Sequence, residues 1–163
     1  MKTLITPLQV VKLAFGDGEM LPPETIAEAD IAAAEERWIV PAIGRKLHSR
    51  ILAGLCADLC TDYLAAPTAL YTRALVQSRL DIRTDRLGTA APKPTGAQAA
   101  DDEARRQLRR QLLEEARTLL RRATAYLAEN RSRYAEYDPE QNCAARCSIA
   151  GGIILTGDGT GAR

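Results

Sequence analysis

Four cysteines fall into two pairs with the same spacing, Cys56 with Cys60 and Cys143 with Cys147. Residues four apart share a helix face, so the two pairs together could offer four thiolates to a zinc ion. Structural zinc ligands favour tight knuckles, whereas the first pair lies in an Ala- and Leu-rich run where a small buried thiol is the ordinary case. The one histidine, His48, has Ser49 beside it, which a helix turns away, so no nucleophile–base dyad is legible. A surface or interfacial position is expected for it. The segment GDGTG at 157–161 precedes no helix whose N-terminus could face a phosphate. APKPTG at 91–96 carries Lys93 without the Walker spacing, and Asp17-Gly18-Glu19 lacks the alternating oxygens of a calcium loop. The residues thus predict no catalytic group, no cofactor site and no metal site.

The arginines carry more information. From Arg105 to Arg133 there are nine arginines against three glutamates, which leaves six positive charges in one segment of a chain whose net charge is +1. One account is a solvated helix face whose Arg stems cover apolar surface. The other is a docking surface, with Arg105, Arg106, Arg109, Arg110, Arg117, Arg121 and Arg122 as the candidate residues facing a partner or DNA. Guanidinium suits bidentate contact with carboxylate or phosphate. Base-specific readout is not expected, because no aromatic residues are interleaved with the arginines.

Composition sets the frame for these side chains. At 163 residues, 46% hydrophobic and 26% charged, the chain suits one globular domain. Aromatics reach only 4%, too few for a stacking platform along a single strand. Near-neutral net charge gives no bulk attraction to nucleic acid or acidic membrane. No stretch approaches the roughly 20 apolar residues of a membrane span. The N-terminal run is broken by Pro7, Gln9 and Lys12, unlike a secretory signal. An intracellular chain with reduced thiols is the expectation.

Ala, Leu, Arg and Glu dominate and β-branched residues are sparse, which predicts an all-α fold. Thr6-Pro7 is an N-cap and N1 pair opening a helix to about residue 14. A loop follows over 16–25, then a helix over about 27–39 that Pro41 breaks or kinks. A third helix carries Leu47, Ile51 and Leu52, with Gly54 as its boundary. A fourth spans 55–65 with Leu55, Leu59 and Tyr63 inward, and Pro67 opens a fifth in which Leu70, Ala74 and Leu75 bury. Residues 84–100 form a long loop. The longest helix covers 101–134, with Leu108, Leu112, Ala116, Leu119, Ala123 and Tyr126/Leu127 as its apolar stripe. A helical domain thus occupies 1–139, and 140–163 is an irregular tail with at most one short strand near 153–155.

One segment is more specific than generic helix. Residues 29–52 read ADIAAAEERWIVPAIGRKLHSRIL, with the pattern A-D-I-x-x-A-E-x-x-x-I-x-P-x-I-G-x-x-L from Ala29 to Leu47. This resembles the N-terminal helical region of tailed-phage head–tail connector proteins, the head-completion adaptors below the portal, in a prophage-encoded form. DYLAAPTALYTRALVQSRLDIRTDRLG at 62–88 resembles that family's central helices, as do the Arg/Leu-rich helix and YAEYDP at 134–139. The resemblance implies a non-enzymatic adaptor without cofactor that assembles as a ring of copies between portal and tail proteins. DNA would pass through the ring without sequence-specific contact, and no membrane would be involved. It implies a location in the bacterial host cytoplasm during assembly, and in the virion of a functional phage. The alternative is a helical nucleic-acid-associated or regulatory protein acting through the Arg-rich helix. A zinc protein or enzyme centred on the four cysteines ranks behind both.

Overall fold

The computed structural model describes residues 2–16, 21–80, 83–85, 88–90, 101–142, 148–150 and 153–155. The helices are α1 (Pro7–Ala14), α2 (Glu28–Ala34), α3 (Val40–Ile43), α4 (Arg45–Leu52), α5 (Ala57–Leu59), α6 (Ala65–Leu80) and α7 (Asp102–Glu129). Single 3-10 turns lie at Pro23–Thr25 and Pro139–Gln141. The all-α expectation holds.

Helix α6 is the axis of the fold. Residues 67 to 74 are buried one after another, so two turns are covered around their whole circumference. It packs against α7, α1 and α2. The polar residues on it are satisfied locally. Thr68 and Thr72 donate their hydroxyls to the carbonyls of Leu64 and Thr68 at 2.7 and 2.8 Å. The buried Arg73 guanidinium lies over the Phe15 ring and donates to the Ala14 carbonyl, which supplies a cation to the C-terminal end of α1. At its other end α1 is closed by the predicted cap, with Gln9 N–H on Thr6 Oγ1 and Thr6 N–H on Gln9 Oε1.

Neither proline ends or starts a helix, for one shared reason, so of the break or kink expected at Pro41 the break is absent. Pro41 does not break its helix and Pro67 does not open one. The backbone is helical from Glu28 to Ile43 and again from Ala57 to Leu80, with Pro41 and Pro67 inside these runs. A π turn precedes each proline, Glu35–Ile39 in the first case and Cys60–Leu64 in the second. In each, an amide bonds five residues back, Val40 to Glu35 and Ala65 to Cys60. The widened turn makes room for a ring that cannot donate and would otherwise crowd the carbonyl four residues back. Local rules for proline assume a regular α turn, which this chain does not use there.

Between α4 and α5 the chain reverses. Gly54 takes φ +88° and Cys56 φ +64°. The Gly54 amide bonds to Ile51 O and the Leu55 amide to Arg50 O, the paired bonds of a Schellman motif. Leu55, expected inward, is 55% exposed, because it lies just beyond a helix end rather than within a helix. The long helix stops at Glu129, five residues earlier than predicted. Asn130 there donates its backbone and side-chain N–H groups to Tyr126 O, and the chain then turns so that Tyr134 and Tyr137 bury.

The region predicted as loop contains an antiparallel hairpin. Strands β1 (Arg83–Asp85) and β2 (Gly88–Ala90) pair Arg83 with Ala90 and Asp85 with Gly88, a two-residue connection. Residues 91–100 lie outside the described residues. The tail, expected to hold at most one short strand, holds two: β4 (Ile153–Leu155) pairs antiparallel with β3 (Ser148–Ala150), Ala150 opposite Ile153.

The core joins Ile31, Ile39, Ile43 and Leu47 to Leu64, Tyr71, Ala116, Leu127 and Tyr134. Leu47→Ala is expected to lower the unfolding free energy by about 2–5 kcal/mol, and Leu8→Ala, at a half-exposed position, by less than about 0.5 kcal/mol. Urea titration of the two variants compares them directly.

A second expectation concerns acid. The Arg79 guanidinium, 2.6 Å from Asp30, holds that carboxyl below its ordinary value near 3.8. The unfolded chain therefore binds the proton first. The contribution is complete above about pH 4 and is lost as pH falls through the folded value. Arg79→Ala should flatten the acid limb of a stability–pH profile and leave the neutral limb parallel to that of the natural chain.

Candidate interface and buried polar centre

Helix α7 begins with Asp101 accepting from the Ala104 amide at 2.7 Å, and Asp102 and Glu103 complete an acidic first turn. Its first fully buried residue is Leu112. From Asp101 to Gln111 every side chain is exposed except Arg105 and Leu108, which are half-buried. Tyr63 stacks on Tyr126 at 4.2 Å, while Arg117 and Arg121 act electrostatically on Tyr71. Thus α6 and α7 run antiparallel, and Leu108 is the first hydrophobic residue of α7 packed against the core. Leu112, Ala116, Leu120, Ala123 and Leu127 form the inward stripe. Leu120 takes the fully buried place expected of Leu119, and Leu119 is half-buried beside it.

The seven candidate arginines separate into three groups. Arg105 and Arg106 form i,i+3 ion pairs with Asp102 at 3.5 Å and Glu103 at 3.1 Å. Arg122 lies over the Tyr63 ring at 5.4 Å. Arg109, Arg110, Arg117 and Arg121 are exposed and make no ion pair among the described residues. Helical spacing places Arg106, Arg110, Arg117 and Arg121 along one strip of the surface. Away from this helix face, Arg45 pairs with Glu36 at 2.8 Å, Arg50 with Glu136 at 2.5 Å, Arg79 with Asp30 and Arg133 with Asp58 at 3.3 Å, while Arg37 lies over the Trp38 ring. The α7 strip is therefore a distinct cationic surface. Its chemistry is recognition of carboxylate or phosphate.

A second feature escaped the sequence reading. His48, expected at the surface, is buried. Its Nε2 donates to Glu35 Oε2 at 2.8 Å, and Glu35 is itself only 2% exposed. The other carboxylate oxygen accepts the Leu4 amide at 2.7 Å. The Leu4 carbonyl in turn accepts from Cys60 Sγ at 3.4 Å, where burial and then the Glu35 charge push the thiol pKa up. Both π turns thus begin at residues, Glu35 and Cys60, that hold the two backbone groups of Leu4. The N-terminal segment is fixed to the bundle by side chains rather than by a sheet or helix ladder. Glu35 follows Ile31 and precedes Ile39 at four-residue spacing. An acid in an apolar stripe was the signal available in the sequence.

Cys56 and Cys60 are free and partly buried, and Cys143 and Cys147 lie outside the described residues. Among the described residues no cluster of three or more potential metal ligands occurs, and no helix is long and apolar enough to cross a membrane.

A protein-family model, described as a family of unknown function (DUF6712), matches residues 43–147. The chain belongs to this family. No curated protein and no solved structure matches it. The DUF6712 region runs from the end of α3 through all of α7, so it contains His48, Cys60 and the whole arginine strip. Glu35 and the Leu4 segment lie before it. The buried acid–imidazole pair therefore joins the DUF6712 region to the helices that precede it.

Removing one partner of this pair leaves the other buried and uncompensated. His48→Ala and Glu35→Ala are each expected to cost about 3–5 kcal/mol. The double substitution Glu35→Leu/His48→Leu should recover part of that loss by replacing the pair with apolar volume. Chemical denaturation of the three variants separates a paired polar centre from simple loss of packing.

Proposed function

We propose that this protein is a structural subunit of a phage or prophage head–tail connector, a non-enzymatic adaptor that assembles as a ring between portal and tail and takes no cofactor. The observation that carries the reading is the resemblance of residues 29–52, 62–88 and 134–139 to that family. The way these three segments meet supports it. Ile31, Ile39 and Leu47 from the first share a core with Leu64 and Tyr71 from the second and Tyr134 and Tyr137 from the third. Trp38 stacks on Tyr71 at 4.7 Å, and Arg50 pairs with Glu136. The resembling residues are thus one packed unit rather than scattered helical similarity.

Surface character agrees with an assembling subunit. Residues 101–104, 106 and 107 at the start of α7 are exposed, and Leu8, Leu13 and Leu55 are large apolar side chains left about half exposed. Leu13 also lines an open groove of about 420 Å³ together with Leu4, Ile51, Leu52 and Cys60. In this reading the protein acts in the bacterial host cytoplasm during assembly and remains in the virion of a functional phage. DNA passes through the ring without base-specific contact.

A second reading rests on Arg109, Arg110, Arg117 and Arg121, exposed and without an ion pair among the described residues, which could instead hold duplex phosphates in a regulatory or nucleic-acid-associated protein. Such binding would weaken steeply with salt.

Deleting the coding sequence from an inducible phage genome tests the adaptor reading. Electron microscopy should show DNA-filled or leaking heads separated from complete tails, with supply of the protein restoring whole particles. Normal particles from the deletion strain would remove it.

A further inference from the structure

The large apolar side chains left in water among the described residues are Leu8, Leu13 and Leu55. Leu8 and Leu13 stand on α1, and Leu55 follows Gly54 at the reversal between α4 and α5. Leu13 and Gly54 both line the open groove of about 420 Å³. One wall is a face of α1, with Gln9, Lys12 and Leu13 at helical spacing. The other is Ala57, Thr61 and Ala65, at four-residue spacing on the helical run that leads into α6. Lys2 and Lys12 are the charged residues among the described lining, which contains no Asp or Glu. Both lysines are exposed, and neither makes an ion pair among the described residues.

We propose that this groove is the docking site for an amphipathic helix of a different protein, which sets apolar side chains between the walls and carboxylates against Lys2 and Lys12. Shape favours a helix over a small molecule. Small-molecule sites enclose most of their ligand, whereas this groove is open along its length. A docked helix needs only one face covered, and presents it through side chains at i, i+4 and i+7. Charge favours an acidic partner, because two unpaired ammonium groups flank apolar surface with no carboxylate of the chain's own beside them. Such rim charges set orientation and reject basic partners, while the apolar contact supplies affinity. A second copy fits less well. Its large exposed apolar residues lie on α1 or beside Gly54, so no other described face offers a complementary knob. A symmetric contact of groove on groove would set the lysines of one copy against those of the other. The groove is open to an acidic helix whether or not the chain is an adaptor.

Fluorescence anisotropy and amide NMR on the full chain test this with a defined probe. The probe is a fluorescein-labelled peptide of about 15 residues, roughly four helical turns, with leucines at i, i+4 and i+7 and glutamates flanking them. A second peptide has lysine for glutamate, and a third has the composition of the first without its helical spacing. The acidic helix should bind saturably and shift the amides of Leu13, Leu52 and Thr61. K2E/K12E should weaken it by about tenfold and should bind the lysine peptide in its place. L13E should weaken the acidic peptide too. K46E, at an exposed lysine of α4 outside the groove, should bind like the natural chain. All of these positions are on the surface, and circular dichroism should be unchanged. No saturable binding, equal binding of any two of the peptides by the natural chain, or K2E/K12E that behaves like the natural chain would each overturn the proposal. Self-association that L13E abolishes would assign the groove to a second copy instead. Dodecanoate that shifts the same amides while the acidic peptide does not would assign it to a small amphiphile.

Discussion

The burial of α6 around its whole circumference over residues 67 to 74 is the constraint from which the rest of the structure follows. A helix covered on every side must have neighbours on every side, and α1, α2 and α7 supply them. It must also leave no polar group unpaired. Thr68 and Thr72 meet that condition by bonding within the helix, and Arg73 by reaching the end of α1. Among the described residues no buried side-chain nitrogen or oxygen lacks a partner. An apolar helix would have satisfied the burial alone. The polar residues in addition fix the position of α1 against α6.

The two π turns solve a related problem. Each lets a helical run carry a proline without breaking, and so keeps a long run of helix available to the core. Each also begins at the residue that holds the N-terminal segment, Glu35 through the Leu4 amide and Cys60 through the Leu4 carbonyl. The same backbone irregularity therefore admits a proline and opens on a residue that orders a neighbouring strand of chain. The Glu35–His48 pair extends this connection into α4, and with it ties the residues before the DUF6712 region to those within it.

Outside the core the arrangement of charge is selective. Several surface arginines are matched with a carboxylate, some over long sequence separations such as Arg50 with Glu136 and Arg79 with Asp30. On α7, Arg109, Arg110, Arg117 and Arg121 are the contrast, exposed and without an ion pair among the described residues. An exposed cationic face of this kind suits contact with another molecule, as the proposed adaptor assembly requires.

The all-α class, the Thr6-Pro7 start of α1, the existence and apolar stripe of α7, and the candidate arginines were legible in the sequence, because each depends on helix propensity, capping or 3.6-residue periodicity within one segment. The continuity of helix through Pro41 and Pro67, the exposure of Leu55 and the burial of His48 were not. The first two depend on backbone departures that no rule for a regular α turn announces, a widened turn before each proline and a reversal at Gly54, and the last on a carboxylate thirteen residues away that folding places beside the ring. The sequence alone determined which residues are charged. Only the tertiary structure decided which charges are neutralised, because a guanidinium finds its carboxylate through the packing of helices, and for Arg109, Arg110, Arg117 and Arg121 that packing brings none within reach among the described residues.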